Sequence, residues 1–263
     1  MQKTKLSAPP DGIPEEIVLF LGPAAYYDSS CSDAARVCFV DRAGGFFLKS
    51  AAKGTLAEEA RMTDLFFRRG MGPEVLFYRS EDRDWMLTAK IPGEDGTHWL
   101  GEPEKLCDLL GEVFRSLHDG GGDLTVGSLC PDRTAETFAR AKSGLEKGTF
   151  ETHLRPERYG IRNPEDARAV LEENGSRFRP DCLIHGDACL PNVLIEDGRF
   201  RGFVDCGAAG FGNRHTDLFW TVWSLAYNLK TDRFGDRFLD AYGREAVDPD
   251  LLRTAAAAEA VFD

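Results

Sequence analysis

The chain has 263 residues, of which 42% are hydrophobic, and this is enough apolar material for one large domain or two lobes with an ample core. Its formal net charge of −12 argues against a nucleic acid or an anionic membrane as a partner. Seven cysteines, an odd number without a Cys-x-x-Cys spacing, argue against a disulfide framework and against a structural zinc site.

Neither a secretory signal nor a membrane span is predicted. The first ten residues lack a long apolar region, and no apolar run approaches the ~18 residues that cross a bilayer. Scattered cysteines also suit a reducing compartment. We therefore expect a cytoplasmic protein. As its oligomeric state we expect a monomer or a weak dimer.

The N-terminal part of the chain has the pattern of a hairpin followed by a helix. Residues 34–40 and 46–49 are rich in β-branched and aromatic side chains and flank a glycine-containing turn, which predicts two antiparallel strands. Thr55 is placed to cap a helix that runs to about Arg69, where glycine and proline follow. A strand pair and one helix are thus expected in this region.

A second strand pair follows, and then the pattern changes. Residues 74–78 and 85–88 predict strands joined by a charged turn, which completes a small lobe of five elements. Residues 89–93 contain proline and glycine and break the alternation. We place a domain boundary there, with one lobe over 1–90 and the other over 91–263.

The second lobe is predicted to be mostly helical. Pro103 suits the first turn of a helix whose apolar side chains recur every three or four residues. Those apolar positions are Leu106, Leu109, Leu110, Val113, Phe114 and Leu117. The other predicted elements are helices at about 131–147, 164–173, 214–228, 232–242 and 249–262, and a strand at 182–184.

The most informative stretch follows that strand. Residues 185–192 have the sequence HGDACLPN, and a predicted hairpin then leads to Asp205. Asp187 and Asn192 therefore share one loop, and a second aspartate ends the hairpin. Hard oxygen ligands of this kind suit Mg²⁺, and protein kinases use a base aspartate, an asparagine and a metal-binding aspartate at nearly this spacing. The pattern favours phosphoryl transfer over a merely polar turn.

The chain resembles bacterial aminoglycoside 3′-phosphotransferases, also called kanamycin kinases, over nearly its full length. The resemblance is strongest over 185–207. Weaker matching stretches are 30–35, similar to the family's phosphate-covering loop; 47–49, its lysine strand; 59–61, its helix glutamate; and 83–87 with 91–93, its last strand and hinge.

The resemblance implies an α+β, eukaryotic-protein-kinase-like fold with a small β-rich N-lobe and a larger helical C-lobe. It also implies ATP- and Mg²⁺-dependent phosphorylation of a small-molecule hydroxyl. Asp187 is then the catalytic residue that orients the hydroxyl and takes its proton. Asn192 and Asp205 are the metal ligands, Lys49 pairs with the phosphates, and Glu59 holds Lys49. Taken alone, a lysine at a strand end such as Lys49 is more often a solvated edge lysine.

Further roles follow from the same resemblance. The backbone around Ser32 is expected to touch the phosphates, and the hinge backbone at Ala89 and Ile91 to receive the nucleotide base, with ATP and GTP both open as donors. His185 is expected to hold the loop backbone rather than to bind metal. Asp217 either braces the catalytic loop or caps its own helix.

The acceptor side departs from the family pattern. The family places an arginine at 208 and an arginine–aspartate pair at 223–224, whereas this chain has alanine, tryptophan and serine. An aminoglycoside carries several ammonium groups, and these changes make the pocket less anionic. Trp85, Trp220 and Trp223 are more often core residues at such positions. The candidate acceptor-binding residues are Glu157, Trp223, Glu259 and Asp263.

Three functions remain open on the sequence. The first is an aminoglycoside O-phosphotransferase of the kind that causes antibiotic resistance, with a cationic small-molecule acceptor. The second is a kinase of the same fold for another hydroxylated metabolite, such as a sugar or an amino alcohol. The third is a nucleotide-binding module without catalysis, which the complete set of phosphoryl-transfer residues disfavours.

Overall fold

The structure is a computed structural model that describes residues 4–30, 34–120 and 130–262. The chain divides into two compact units, one made of residues 1–93 with 201–207 and the other of 94–200 with 208–263. The functional lobes 1–90 and 91–263 stay a prediction. Within the described ranges, no helix is long and apolar enough to cross a membrane.

The first unit is built on an antiparallel six-stranded sheet with the order β1–β2–β3–β4–β6–β5. The predicted hairpin, helix and second strand pair are all confirmed. Its elements are β1 (Thr4–Lys5), α1 (Glu15–Leu21), β2 (Ala25–Asp28), β3 (Ala35–Asp41), β4 (Phe46–Ala52), α2 (Ala57–Arg68), β5 (Val75–Ser80) and β6 (Arg83–Ala89).

The prediction of a five-element lobe is wrong, because β1, α1 and β2 precede the elements found from the sequence. Helix α1 contains five consecutive apolar residues, and such a run carries no helical period. Only Ile17 and Leu21, one turn apart, are buried, whereas Leu19 between them is 74% exposed. The helical period of α1 is therefore visible in its burial and not in its composition.

The predicted cap of α2 is also wrong. The hydroxyl of Thr55 donates to Ala52 O and accepts no hydrogen bond from the helix, whose N-cap residue is Leu56. Asp84, a buried residue on β6, accepts hydrogen bonds from Leu56 N (2.8 Å) and Gly54 N (2.9 Å) instead. Burial alone raises the pKa of Asp84, but the hydrogen bonds that it accepts outweigh burial and lower the pKa below its usual value.

The second unit contains most of the helices, and each predicted helix is confirmed to within a few residues at its ends. Asp248 caps the last helix by accepting from Asp250 N and Leu251 N, as its position before a proline predicts. The helices are α3 (Pro103–Asp119), α4 (Arg133–Lys147), α5 (Pro164–Asn174), α6 (His215–Leu229), α7 (Gly235–Tyr242) and α8 (Pro249–Ala260).

Short strands in this unit position the central loop. Strand β8 (Cys182–Ile184) pairs with β11 (Gly210–Gly212), and β7 (Glu94–Asp95) pairs with β9 (Val193–Glu196). The predicted hairpin from β9 to β10 (Arg199–Phe203) is confirmed, in a sheet of order β10–β9–β7. Its Asp-Gly turn has φ of 52° and 70°, the two positive values that a type I′ turn requires.

Helix α8 packs against α5 and α6 through a run of small side chains. The four alanines at 255–258 are each at most 1% exposed. Alanine allows close approach of helices at no cost in side-chain entropy. This packing orders the far end of α8, which carries the candidate acceptor residue Glu259.

Candidate active site

The loop after β8 makes a sharp turn that only glycine allows. Gly186 has φ +81°, and a Cβ on it would lie 2.1 Å from Ala208 O. An L side chain would thus meet both strain and a steric clash. The turn leads directly into Asp187, whose side chain is partly exposed.

Asp187 is held by a network of hydrogen bonds within its own loop. The Asn192 amide donates through Nδ2 to Asp187 Oδ2 and to Asp187 O, both at 2.9 Å. Cys189 N also donates to Asp187 O, at 2.8 Å. Burial raises the pKa of the Cys189 thiol, and so do the charge of Asp187 and its hydrogen bond with this carboxylate. Cys189 is therefore a neutral thiol beside the carboxylate.

Asp217, fully buried at the start of α6, anchors the beginning of the loop. Its Oδ2 accepts from His185 N and its Oδ1 from Gly186 N, both at 2.8 Å, and His118 Nε2 lies 3.1 Å from Oδ2. It therefore braces the loop and does not cap its own helix. The buried His185 ring lies within the loop, where its Nδ1 accepts from Asp187 N at 3.3 Å.

A second charged cluster lies in the first unit. Lys49 Nζ is 2.8 Å from both carboxylate oxygens of Glu59 and 2.7 Å from Asp205 Oδ1. Burial alone lowers the pKa of Lys49, but the two carboxylates outweigh it and raise the pKa above its usual value. Burial raises the pKa of Glu59, and the Lys49 ammonium offsets only part of that rise. Lys49 is thus a fixed cation.

Asp205 carries backbone strain at this cluster. It has φ +60°, although it is not a glycine, and such left-handed residues occur often at functional sites. Its side chain remains 56% exposed despite the ion pair with Lys49. Asp205, which follows the hairpin, therefore pairs with Lys49 while much of the Asp205 carboxylate stays open to solvent.

The side chains of Asn192 and Asp205 fit a magnesium ion by their donor chemistry. Because Asn192 uses Nδ2 toward Asp187, its Oδ1 is the amide atom left to face a cation. A carboxylate and an amide oxygen are the hard donors that Mg²⁺ prefers, with phosphate and water filling other positions. Within the described ranges there is no group of three or more His, Cys, Asp or Glu side chains that could hold a metal.

The expected hinge residues lie at the end of β6, which Ala89 closes, and their backbone is hydrogen-bonded. Ala89 N donates to Glu74 O and Lys90 N to Gly45 O, both at 3.0 Å. Ile91 comes next and is half-buried. Ser32, the candidate phosphate-loop residue, lies outside the described residues.

The candidate acceptor residues are not equivalent. Glu157 is exposed, at 3.9 Å from Arg155 Nε. Glu259 is only 5% exposed, and its burial raises the pKa of the carboxyl group. Trp223 is partly exposed and donates through Nε1 to His153 O at 3.2 Å. Asp263 lies outside the described residues.

The expectation that all three tryptophans are core residues holds only for Trp85, which is 3% exposed. Trp220 and Trp223 are partly exposed and form an aromatic row along α6 that ends at Tyr227. Trp223 and Tyr227 stack with ring centroids 5.0 Å apart. Sequence spacing did not separate them from core residues, because Phe219 and Val222 of the same helix are buried.

A family model described as the phosphotransferase enzyme family matches residues 30–256. The chain belongs to this phosphotransferase family. A curated relative from Lactococcus lactis subsp. lactis (strain IL1403), named a probable aminoglycoside 3′-phosphotransferase, is 37% identical over 251 residues, 94% of each chain. The family predicted from residues 185–207 is thereby confirmed.

Solved structures support the fold of this phosphotransferase. An aminoglycoside 3′-phosphotransferase of type VIII aligns with a TM-score of 0.67 at 24% identity, covering 91% of this chain and 94% of that one. An aminoglycoside phosphotransferase from Streptomyces rimosus, in complex with ADP and streptomycin, aligns with a TM-score of 0.69 at 18% identity, covering 93% and 95%. The predicted kinase-like α+β fold is confirmed.

The buried carboxyl group of Glu259 makes the stability of this phosphotransferase depend on pH. Burial, with a smaller contribution from Asp187, raises its pKa to about 7, and the charge of Arg140 and the Trp220 hydrogen bond only partly oppose the rise. The folded protein therefore keeps this proton up to a higher pH than the unfolded chain does. The contribution of the protonated carboxyl group to the free energy of unfolding is present in full below about pH 4.3 and is lost as the pH rises through 7.

We predict that Glu259→Gln removes this dependence. Relative to this variant, the unmodified protein should lose unfolding free energy on the order of 2–3 kcal/mol as the pH rises from about 4.5 to 8. Urea denaturation of both proteins at several pH values measures the difference. A difference that is constant over this range would contradict the prediction.

Proposed function

We propose that this phosphotransferase transfers the γ-phosphoryl group of ATP to a hydroxyl of an aminoglycoside. Aminoglycosides are the acceptor class that the names of its 3′-phosphotransferase relatives give. The observation that carries the proposal is the hydrogen-bonded arrangement of Asp187 and Asn192 on a loop held by Asp217. The 37% identity with the Lactococcus lactis relative supports the acceptor class.

Asp187 acts on the acceptor in this proposal. The Asn192 amide on Oδ2 fixes the plane of the carboxylate, so that Asp187 can accept a hydrogen bond from the incoming hydroxyl. It orients the hydroxyl oxygen toward the phosphorus and takes its proton as the new O–P bond forms. Holding the carboxylate in advance removes the cost of ordering it during the reaction.

Lys49 and the two oxygen ligands act on the donor. Lys49 contacts phosphate oxygens of the nucleotide, and Glu59 keeps the ammonium in place. Asn192 and Asp205 would hold Mg²⁺, which when bound supplies positive charge against the phosphate oxygens. Because the transition state of phosphoryl transfer is loose, positioning and charge compensation carry most of the rate. The hinge at Ala89 and Ile91 receives the base.

The acceptor is bound on the helical unit. Glu259 is the buried carboxyl group that we assign to an ammonium group of the acceptor, and Trp223 and Glu157 are further candidates for acceptor binding. Ala208 and the partly exposed aromatic row of α6 instead favour a second candidate, a less cationic hydroxylated metabolite such as a sugar or an amino alcohol. The two candidates share the donor chemistry and differ only in the acceptor.

Acceptor-dependent release of ADP tests the proposal. The protein is assayed with ATP, Mg²⁺ and kanamycin or neomycin, and in parallel with a panel of sugars and amino alcohols. We expect kanamycin-dependent turnover that disappears on chelation with EDTA and returns on addition of Mg²⁺. Turnover on the metabolites alone would replace the aminoglycoside by the second candidate, and no acceptor-dependent turnover at all would remove both.

A further inference from the structure

Helix α6 carries a row of polar side chains on one face. Asp217, Thr221, Ser224 and Asn228 are spaced at intervals of four, three and four residues, which places them above one another on an α-helix. Thr221 is fully buried and Ser224 is 1% exposed. Buried hydroxyl groups cost free energy unless they are hydrogen-bonded, so the partners of these side chains show what the row does.

Their partners are backbone atoms of the catalytic loop. Thr221 Oγ1 donates to Ala188 O at 3.1 Å, and Ser224 Oγ accepts from Leu190 N at 2.9 Å. Asn228 Nδ2 in turn lies 2.8 Å from Ser224 O and 3.3 Å from Ser224 Oγ, which fixes the serine.

The row therefore continues the anchoring that Asp217 begins. Asp217 holds the backbone at 185 and 186, and the two hydroxyl groups hold it at 188 and 190. Asp187 lies between these anchored positions. Its backbone is thus restrained from both sides by one rigid helix.

Ser224 is itself only 1% exposed, and its hydroxyl is turned toward the backbone of the loop, where it meets Leu190 N. Ser224 is consequently a buried part of the loop support rather than a wall of the acceptor pocket. The family's arginine–aspartate pair at 223–224 had placed Ser224 on the acceptor side. Sequence neighbours on a helix, however, face different directions, so Ser224 does not share the surroundings of Trp223.

We propose that Thr221 and Ser224 are positioning residues for phosphoryl transfer, which act through the backbone at 188 and 190 to aim the carboxylate of Asp187. The inference rests on the proposed function, because it takes Asp187 as the group that meets the acceptor hydroxyl. Misplacing a reacting group by about 1 Å can lower a rate on the order of 100-fold, so loss of one anchor should affect kcat.

A matched pair at position 221 tests the hydroxyl itself. Thr221→Val keeps the shape of the side chain and removes the donor, whereas Thr221→Ser keeps the donor and removes a methyl group. With kanamycin as acceptor, we expect kcat to fall about tenfold in Thr221→Val, with KM for ATP unchanged, and to return to within about twofold in Thr221→Ser. Ser224→Ala, which removes the hydroxyl, should lower kcat as Thr221→Val does. Ser224→Thr, which keeps the hydroxyl, should restore it.

Thr254→Val is the control for a general loss of stability. Thr254 is fully buried on α8, and its hydroxyl donates to Asp250 O at 2.7 Å, a bond that touches no part of the loop. This variant should keep kcat. Amide hydrogen exchange over residues 185–192 adds a readout that needs no acceptor. We expect about tenfold faster exchange there in Thr221→Val and Ser224→Ala, but not in Thr254→Val.

The outcomes separate the inference from the function on which it rests. Wild-type kcat and wild-type loop exchange in Thr221→Val and Ser224→Ala, alongside an inactive Asp187→Asn, would overturn the positioning role alone. Equal losses of kcat in Thr221→Val, Thr221→Ser and Thr254→Val would also overturn it, since general stability would then be the cause. Full activity of Asp187→Asn would overturn the proposed function itself.

Discussion

Asp187→Asn is expected to lower kcat on the order of 1,000-fold while leaving KM for ATP nearly unchanged. An asparagine can still accept the hydrogen bond from Asn192 but cannot take a proton from the acceptor hydroxyl. The loop should therefore keep its shape and lose the proposed base. Steady-state kinetics with kanamycin and a separate measurement of Mg-ATP binding distinguish the two effects.

The control is the same substitution ten residues further along the chain. Asp197 is exposed in the β9–β10 turn with φ 52°, a conformation that asparagine adopts readily. Asp197→Asn should retain wild-type kcat. If Asp187→Asn turns over kanamycin at the wild-type rate, Asp187 is not the base, whatever its place in the loop.

Asp217→Asn is expected to lower the unfolding free energy by about 3 kcal/mol and to lower kcat about tenfold or more. The two oxygens of Asp217 accept from three donors, which are the N–H groups of His185 and Gly186 and the ring of His118. An asparagine replaces one oxygen by an NH₂ group. That NH₂ group must then face a backbone N–H of the loop. Both groups are donors, so neither finds an acceptor in the other.

The His118 ring extends this network into the core. Nε2 of the ring lies 3.1 Å from Asp217 Oδ2, and Nδ1 lies 2.9 Å from the Tyr242 hydroxyl. Asp108→Asn is the matched control, because Asp108 makes an exposed bidentate pair with Arg237 and should cost less than about 1 kcal/mol. Equal destabilisation by the two variants in urea denaturation would contradict the special role of Asp217.

Much of the fold was predictable because its patterns are local. The apolar period of α3 lies within seventeen residues, and the Asp-Gly turn between β9 and β10 forces its two strands together. Helix α1 was missed because a continuous apolar run has no period. The cap of α2 was misassigned because its acceptor, Asp84, is 28 residues from Leu56 in the chain.

The residues of the candidate site likewise divide into those that the local sequence predicts and those that only the tertiary structure brings together. Asp187 and Asn192 are five residues apart, so the sequence alone showed that they share a loop. Nothing in the sequence showed that His118, 99 residues before Asp217, meets this aspartate. The polar spacing of Asp217, Thr221 and Ser224 in an apolar helix was a usable signal, but it does not say what lies opposite that face.

By itself the sequence determined the family, the secondary structure of most of the chain and the candidate residues for phosphoryl transfer. These depend on neighbours in the chain, whose geometry is set by helical and strand periods and by turn residues. Only the tertiary structure decided that Ser224 supports the loop, that Trp223 is partly exposed and that Glu259 is buried. Burial and long-range hydrogen bonds depend on which distant segments pack together, and no local pattern contains that information.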